Sequence, residues 1–351
     1  MTDAPFFPTT DDLTAQGVRQ DELHARAAAL TQARFGRRVF VRAVVEISNY
    51  CRENCAYCGM RRSNRSLARY RAQAEQLAEL LLHHRPASVT DVNIQGGEDP
   101  LAVRQVALPL IRTLRRETTL GVSVCLGLLT PALYTDLRQA GASIYIMKFE
   151  MADPLRYAEL SAPGTLEQRL AQIRHLAGHG WKVSSGFIAG LPGQRAEDML
   201  ANLTLARALP LAGCSVSPFI PGEDTPLARA PMADIDQTLN CMAALRLMQP
   251  DWVVPAVSAL NLTEPEGGYR RGLRAGANLV TINLTPPELR SDYLLYKRDR
   301  FIMTEDRILA AIAAEGLTPS PQSLVEFYRE LDAQPMPVNG KEVKLKEAVL
   351  A

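Results

Sequence analysis

Residues 39–58 read VFVRAVVEISNYCRENCAYC. The first ten, rich in Val, Ile and Phe, have the composition of a strand, and three cysteines begin just beyond its end. Outward along the chain the same kind of run recurs seven times: VTDVNIQG (89–96), GVSVCLGL (121–128), SIYIMKFE (143–150), KVSSGFIAG (182–190), CSVSPFI (214–220), WVVPAVSAL (252–260) and NLVTINL (278–284). Amphipathic segments separate the runs, among them AEQLAELLLHH (74–84), LEQRLAQIRHLAGHG (166–180) and IDQTLNCMAALRLM (235–248), with apolar residues at helical spacing. Gly141 and Gly180 stand where such helices end. Strands that alternate with helices pair in parallel through right-handed crossovers. Eight such units predict an α/β protein built as a closed (β/α)8 TIM-type barrel, with an open doubly wound sheet as the competing arrangement. Residues 1–35 become an N-terminal helical extension over the bottom or side of the barrel, 36–304 the barrel itself, and 305–351 C-terminal helices and a tail. No low-complexity linker interrupts the chain, so one domain is expected.

In barrels of this kind chemistry collects where strands end and loops begin. CRENCAYC follows the first strand, QGGEDP (95–100) the second, FEMADP (149–154) the fourth, AGLPG (189–193) the fifth and FIPGEDTP (219–226) the sixth. All of these segments therefore converge on one rim. Cys51, Cys55 and Cys58 supply three thiols from a single loop. A structural zinc ion normally takes four Cys or His ligands, whereas three thiolates on a [4Fe–4S] cluster leave one iron open to an exogenous ligand. Zinc stays open as the bland alternative. Cys214 and Cys241 lie within apolar elements and read as buried structural thiols.

The pattern Cys-x3-Cys-x-Tyr-Cys after the first strand resembles the radical S-adenosylmethionine (SAM) superfamily. EISNYCRENCAYCGMRRSN, PFIPGEDTPLA, RAGANLVTINLTPP and EGLTPSPQS are similar to its biotin-synthase-like group, and within that group to methylornithine synthases and the [FeFe]-hydrogenase radical maturases. The resemblance implies a [4Fe–4S] cluster on Cys51, Cys55 and Cys58 whose open iron binds the methionyl group of SAM. It implies reductive cleavage to a 5′-deoxyadenosyl radical and hydrogen abstraction from substrate. It further implies cofactor-binding roles for Gly96, Gly97 and Glu98 in QGGEDP, Glu150 at the ribose, Arg169 at the methionyl carboxylate, and Tyr57 and Ile188 near adenine. A flavodoxin or ferredoxin-type electron donor belongs to the same expectation.

Biotin synthases spend a second cluster held by three further cysteines and an arginine. At the matching places only Cys125 carries a thiol, beside Gln95, Ser184 and the region of Val257 and Ser258, so sulfur insertion is not expected and a mutase or lyase reaction is. Candidate substrate contacts are the inward positions Cys125, Lys148, Ser184, Ser258, Asn261, Thr281 and Asn283, with Lys148 placed to hold a carboxylate. The expected substrate is a small carboxylate-bearing molecule, an amino acid first of all, rearranged or cleaved at a C–C bond. The alternatives are a metallocofactor maturase and, from another class, a cluster-bearing electron carrier. With a net charge of +1 the chain has no basic excess with which to neutralise nucleic acid. The acidic start MTDAPFFPTTDD lacks the order of a signal peptide, and no apolar run approaches the roughly 20 residues of a membrane span; a cytoplasmic enzyme is expected.

Overall fold

Strand β1 (Arg38–Ser48) sets the pattern of the molecule. Val39, Val41, Ala43, Val45 and Ile47 are all essentially buried on its outer face, against helices, while the alternate residues Arg42, Val44 and Glu46 face inward. The computed structural model describes residues 6–298 and 301–333. Seven strands form one parallel curled sheet: β1, β2 (Asp91–Gly96), β3 (Gly121–Cys125), β4 (Ile144–Ile146), β5 (Lys182–Ala189), β6 (Gly213–Pro218) and β7 (Leu279–Asn283), in the order β6-β5-β4-β3-β2-β1-β7. A short β8 (Thr318–Pro319) pairs with the start of β1. The TIM-type expectation holds in this curled form.

One of the eight expected strands does not form. Residues 252–260 contribute only isolated bridges, Val253 to Gly213 of β6 and Pro255 to Leu279 of β7. Proline at 255 has no N–H for a ladder, and from Leu260 the chain enters a short helix (Leu260–Thr263). The segment thus spans the gap between β6 and β7 with two isolated bridges rather than a ladder. Other strands stop earlier than their composition suggests: β3 ends at Cys125 and β4 at Ile146, leaving 126–128 and 147–150 as irregular rim.

Local signals place the helices. Asp99 caps helix Pro100–Ala102, which runs through a π turn (Val103–Ala107) into Leu108–Glu117. Thr165 and Gln168 form a capping box on Leu166–Gly178. Gly141 ends Pro131–Ala140 at φ 125°, and Gly180 follows Leu166–Gly178 at φ 78°. The N-terminal helix Val18–Phe35 packs on the side, against Ile235–Met248 through Leu23, Ala27 and Ala243. The bottom is closed by the last described helix, Leu324–Ala333. Its Leu324 and Tyr328 join Phe40, Ile144, Val253 and Leu279 in an apolar plug, each such side chain contributing about 1.5–3 kcal/mol. The Asp91 carboxylate accepts the Leu324 N–H at 2.9 and 3.1 Å, and Tyr328 donates to Ala212 O at 3.0 Å. The expected tail beyond 333 lies outside the described residues. Among those described, no helix is long and apolar enough to cross a membrane.

Candidate active site

The strand ends at the opposite, upper rim enclose two adjoining cavities. The upper, of about 190 Å³, has Cys51, Cys55 and Cys58 in its wall together with Tyr57, Gly96, Gly97, Glu98, Glu150, Arg169 and Ile188. The lower, of about 300 Å³, occupies the barrel interior and takes in Cys125, Lys148, Ser184, Ser258, Asn261, Thr281 and Asn283. Every site residue expected from sequence therefore lines one of the two. Lys148, Cys125, Gly96 and Glu150 line both and mark the boundary.

The cysteine loop is fixed from behind. Arg69 spreads its guanidinium over the carbonyls of Asn49, Met60, Arg61 and Asn64, with no carboxylate among its hydrogen-bond partners. In front, the Glu98 N–H points at Cys51 Sγ, 3.4 Å away. Gly97 is required here: a Cβ would overlap Tyr50 O and crowd Cys51 Cβ. Burial raises all three thiols above their ordinary range, Cys58 to about 12, so a metal bound there would displace their protons. Three free thiols in one cavity wall are a donor set that suits an iron–sulfur cluster, and the space beside them suits a nucleoside-bearing ligand. Two buried polar atoms on the same wall, Tyr57 Oη and Arg169 Nε, have no geometrically formed hydrogen bond among the described residues.

Glu98 and Arg169, both expected to bind the cofactor, contact each other. Arg169 donates to Glu98 at 3.3 Å, and Arg52 donates to its other oxygen at 3.2 Å. Arg169 and Glu98 are only 4% and 5% exposed. Burial raises the Glu98 carboxyl, with Arg169 pulling it down. Burial also works against the Arg169 charge, but Glu98, Tyr157 and Glu150 hold it well above its ordinary value. A helix arginine, in most proteins a solvated one, is here drawn into the barrel rim.

Glu150 has a backbone feature that alternation does not reveal: φ is 64°, in the left-handed region, where a side chain is strained. Two hydrogen bonds to β5 hold it there, Glu150 N–H to Gly186 O at 3.1 Å and Ile188 N–H to Glu150 O at 2.9 Å. Ile146, Lys148 and Glu150 line the same cavity. Lys148 Nζ donates to Ser217 Oγ at 3.4 Å. Burial opposes its charge, but Glu150 and Tyr296 keep it above the ordinary lysine value. Burial raises Glu150, against Lys148 and Arg169.

Ser258 and Asn261 reach the lower cavity from a turn and a helix instead of a strand. Asn261 Oδ1 accepts the Tyr269 N–H at 3.0 Å, while its Nδ2 is buried without a partner. Asn283 donates to Glu46 at 3.1 Å. Cys214 and Cys241 are fully buried away from both cavities. Sequence reading passed over Arg42 and Glu46 of β1, both lining the lower cavity; their signal was charge at alternate positions inside an otherwise apolar strand.

A family model described as the radical SAM superfamily matches residues 45–206. The chain is 34% identical over 261 residues to the [FeFe] hydrogenase maturase subunit HydE of Thermotoga maritima, covering 74% of each protein. It is 26% identical over 334 residues to the 3-methylornithine synthase of Methanosarcina acetivorans, covering 92% of this chain and 93% of that one. The crystal structure of methylornithine synthase (PylB) superposes with a TM-score of 0.80 at 25% identity, covering 93% of this chain and 97% of the other.

Proposed function

The chain belongs to the radical SAM superfamily, and from that membership we propose that it acts on a small carboxylate-bearing molecule, an amino acid foremost, by hydrogen abstraction followed by rearrangement or C–C cleavage. The cofactors of the superfamily are a [4Fe–4S] cluster and SAM, which together supply a one-electron cleavage of the sulfonium and a carbon radical able to take hydrogen from an unactivated C–H bond. The observation that carries the reading is the pair of adjoining cavities: a cofactor-sized space walled by three thiols opens directly onto a polar barrel interior. A protein that only carried electrons would have no use for the second space.

In this reading Cys51, Cys55 and Cys58 hold the cluster. Gly96 and Gly97 let the backbone approach the methionyl group, with Glu98 and Arg169 presenting a charged pair to its amine and carboxylate. Tyr57 and Ile188 flank the base, and Glu150, fixed at its strained φ, faces the ribose. Lys148 holds an anionic group of the substrate at the boundary. Cys125, Ser184, Ser258, Asn261, Thr281 and Asn283 shape the space below, where exclusion of water protects a radical from quenching. A small one-electron carrier of the flavodoxin or ferredoxin type is the proposed reductant.

A second reading, maturation of a metallocofactor, is favoured by the higher identity to the hydrogenase maturase, 34% against 26% for the methylornithine synthase. Anaerobic incubation of the reconstituted protein with dithionite and SAM tests the common premise, with 5′-deoxyadenosine as the expected product. Stimulation by lysine or another amino acid supports the first reading. Stimulation only by an iron–cysteine complex supports the second. No 5′-deoxyadenosine at all overturns both.

A further inference from the structure

Arg42 sits on the inward face of β1, at the closed end of the lower cavity, level with the apolar plug formed by Ile144, Val253, Leu279, Leu324 and Tyr328. Among the described residues it is the one arginine lining that cavity, and its guanidinium is poorly satisfied. Nε is buried with no hydrogen-bond partner among the described residues, and the hydrogen bond of the head group is a long one, 3.5 Å from Nη2 to Thr281 Oγ1. The carboxylate on the neighbouring strand, Asp91, favours its charge through space but makes no hydrogen bond to it. Asp91 directs both oxygens to the Leu324 N–H, at 2.9 and 3.1 Å, and accepts from Thr90 Oγ1 at 3.0 Å. Among the described residues no carboxylate lies within ion-pair distance of Arg42. A half-buried cation in that position is costly unless something pairs with it, and the side that remains open to a partner is the cavity.

We propose that Arg42 receives a carboxylate of the substrate at the floor of the barrel, so that the molecule stands anionic end down and its other end reaches the cofactor cavity. The guanidinium fork matches the two oxygens of a carboxylate. The apolar residues at the same level suit the carbon chain that leads upward from it. Lys148, at the boundary of the two cavities, then meets a second anionic group nearer the reacting carbon. The two cations at different heights call for a linear substrate with a carboxylate at its lower end and another anionic group higher up. This rests on the proposed function and extends it to the orientation and charge of the substrate.

The test uses the full chain with its cluster reconstituted anaerobically, and glutarate as the probe. Calorimetry is expected to show one glutarate bound per chain, with neutral glutaramide bound at least tenfold more weakly. Arg42→Met is expected to weaken glutarate at least tenfold, and Arg42→Lys to weaken it less. Inorganic phosphate serves as the competing anion; binding as tight as that of glutarate, or glutarate binding unchanged in Arg42→Met, overturns the proposal. Thermal denaturation of the ligand-free proteins separates binding from structure. A receptor arginine lacking a partner leaves the Arg42→Met midpoint equal to or above that of the wild type, whereas a lower midpoint makes Arg42 a structural residue and overturns the proposal. 5′-Deoxyadenosine formation by the same wild-type preparation distinguishes the two failures. If it forms while glutarate is ignored, the floor receptor falls and the radical SAM reading stands; if it does not form, that reading falls whatever glutarate does.

Discussion

The two cavities are built on opposite electrostatic principles. In the upper one the charges around the glycine turn are closed on one another: Glu98 lies between Arg52 and Arg169 at 3.2 and 3.3 Å, and Arg71 holds Asp99 beneath the same turn at 2.6 Å. In the lower one Arg42 and Lys148 face open space, with contacts of 3.5 and 3.4 Å to hydroxyls. A site for an invariant cofactor can be pre-organised completely, because what it must meet is always the same. A site for the molecule being transformed must leave charge unpaired until that molecule arrives.

This contrast makes the upper cavity the fragile one. Cys55→Ala removes one of three protein ligands from a cube that has none to spare; iron content, the EPR signal of the reduced cluster and 5′-deoxyadenosine formation are expected to vanish together. Retention of cleavage with normal iron content would break the contrast at its root. Glu98→Gln is next in size. It leaves Arg169 buried with a neutral partner, and breaking a buried pair from one side costs about 3–5 kcal/mol, read as a shift in the denaturant midpoint of the cluster-loaded protein. A loss under 1 kcal/mol would mean that the pair is not closed in solution.

Most of the upper cavity was legible in the sequence because its residues come in short runs at fixed offsets from strand ends: three cysteines in one loop, then Gly96, Gly97 and Glu98 in one turn. Arg169 was legible only through resemblance, since nothing in LEQRL distinguishes a buried arginine from a solvated one. The left-handed φ of Glu150 was illegible, being imposed by two hydrogen bonds from β5. The lower cavity is assembled from single residues on separate strands, so no local pattern announces it. Arg42 and Glu46 show that period-two reading carries more than it first yields: in a strand whose outward positions are all apolar, an inward charge is itself a signal. For the fold, seven of eight runs became strands. The eighth, 252–260, had the apolar content of a strand but carries Pro255, and content alone does not make a ladder.

The floor of the lower cavity offers a smaller, pH-dependent test. Burial raises the Asp91 carboxyl from the ordinary 3.8 to about 6. A carboxyl raised on folding stabilises the native state below its unfolded value and loses that contribution as pH rises through the folded one. Asp91 therefore withdraws about 3 kcal/mol between roughly pH 4 and 6. Asp91→Asn, which cannot titrate but keeps an oxygen for the Leu324 N–H, is expected to flatten the profile, gaining on the wild type in denaturant midpoint as pH rises from 4.5 to 7. Parallel profiles would mean that Asp91 does not titrate between those pH values.

Lys148 sharpens the comparison most because it belongs to both cavities. Lys148→Met takes the cation from between Glu150 and the substrate space. If Lys148 grips an anionic group, the rate in the presence of substrate is expected to fall about 100-fold in kcat/KM, equivalent to about 2.7 kcal/mol, and Lys148→Arg is expected to recover part of it. The split between the two constants carries the information. A rise in KM with kcat held places Lys148 with Arg42, as a receptor for the resting substrate. A fall in kcat with KM held moves it across the boundary, to the chemistry around Glu150, and leaves Arg42 to bind the anionic end alone.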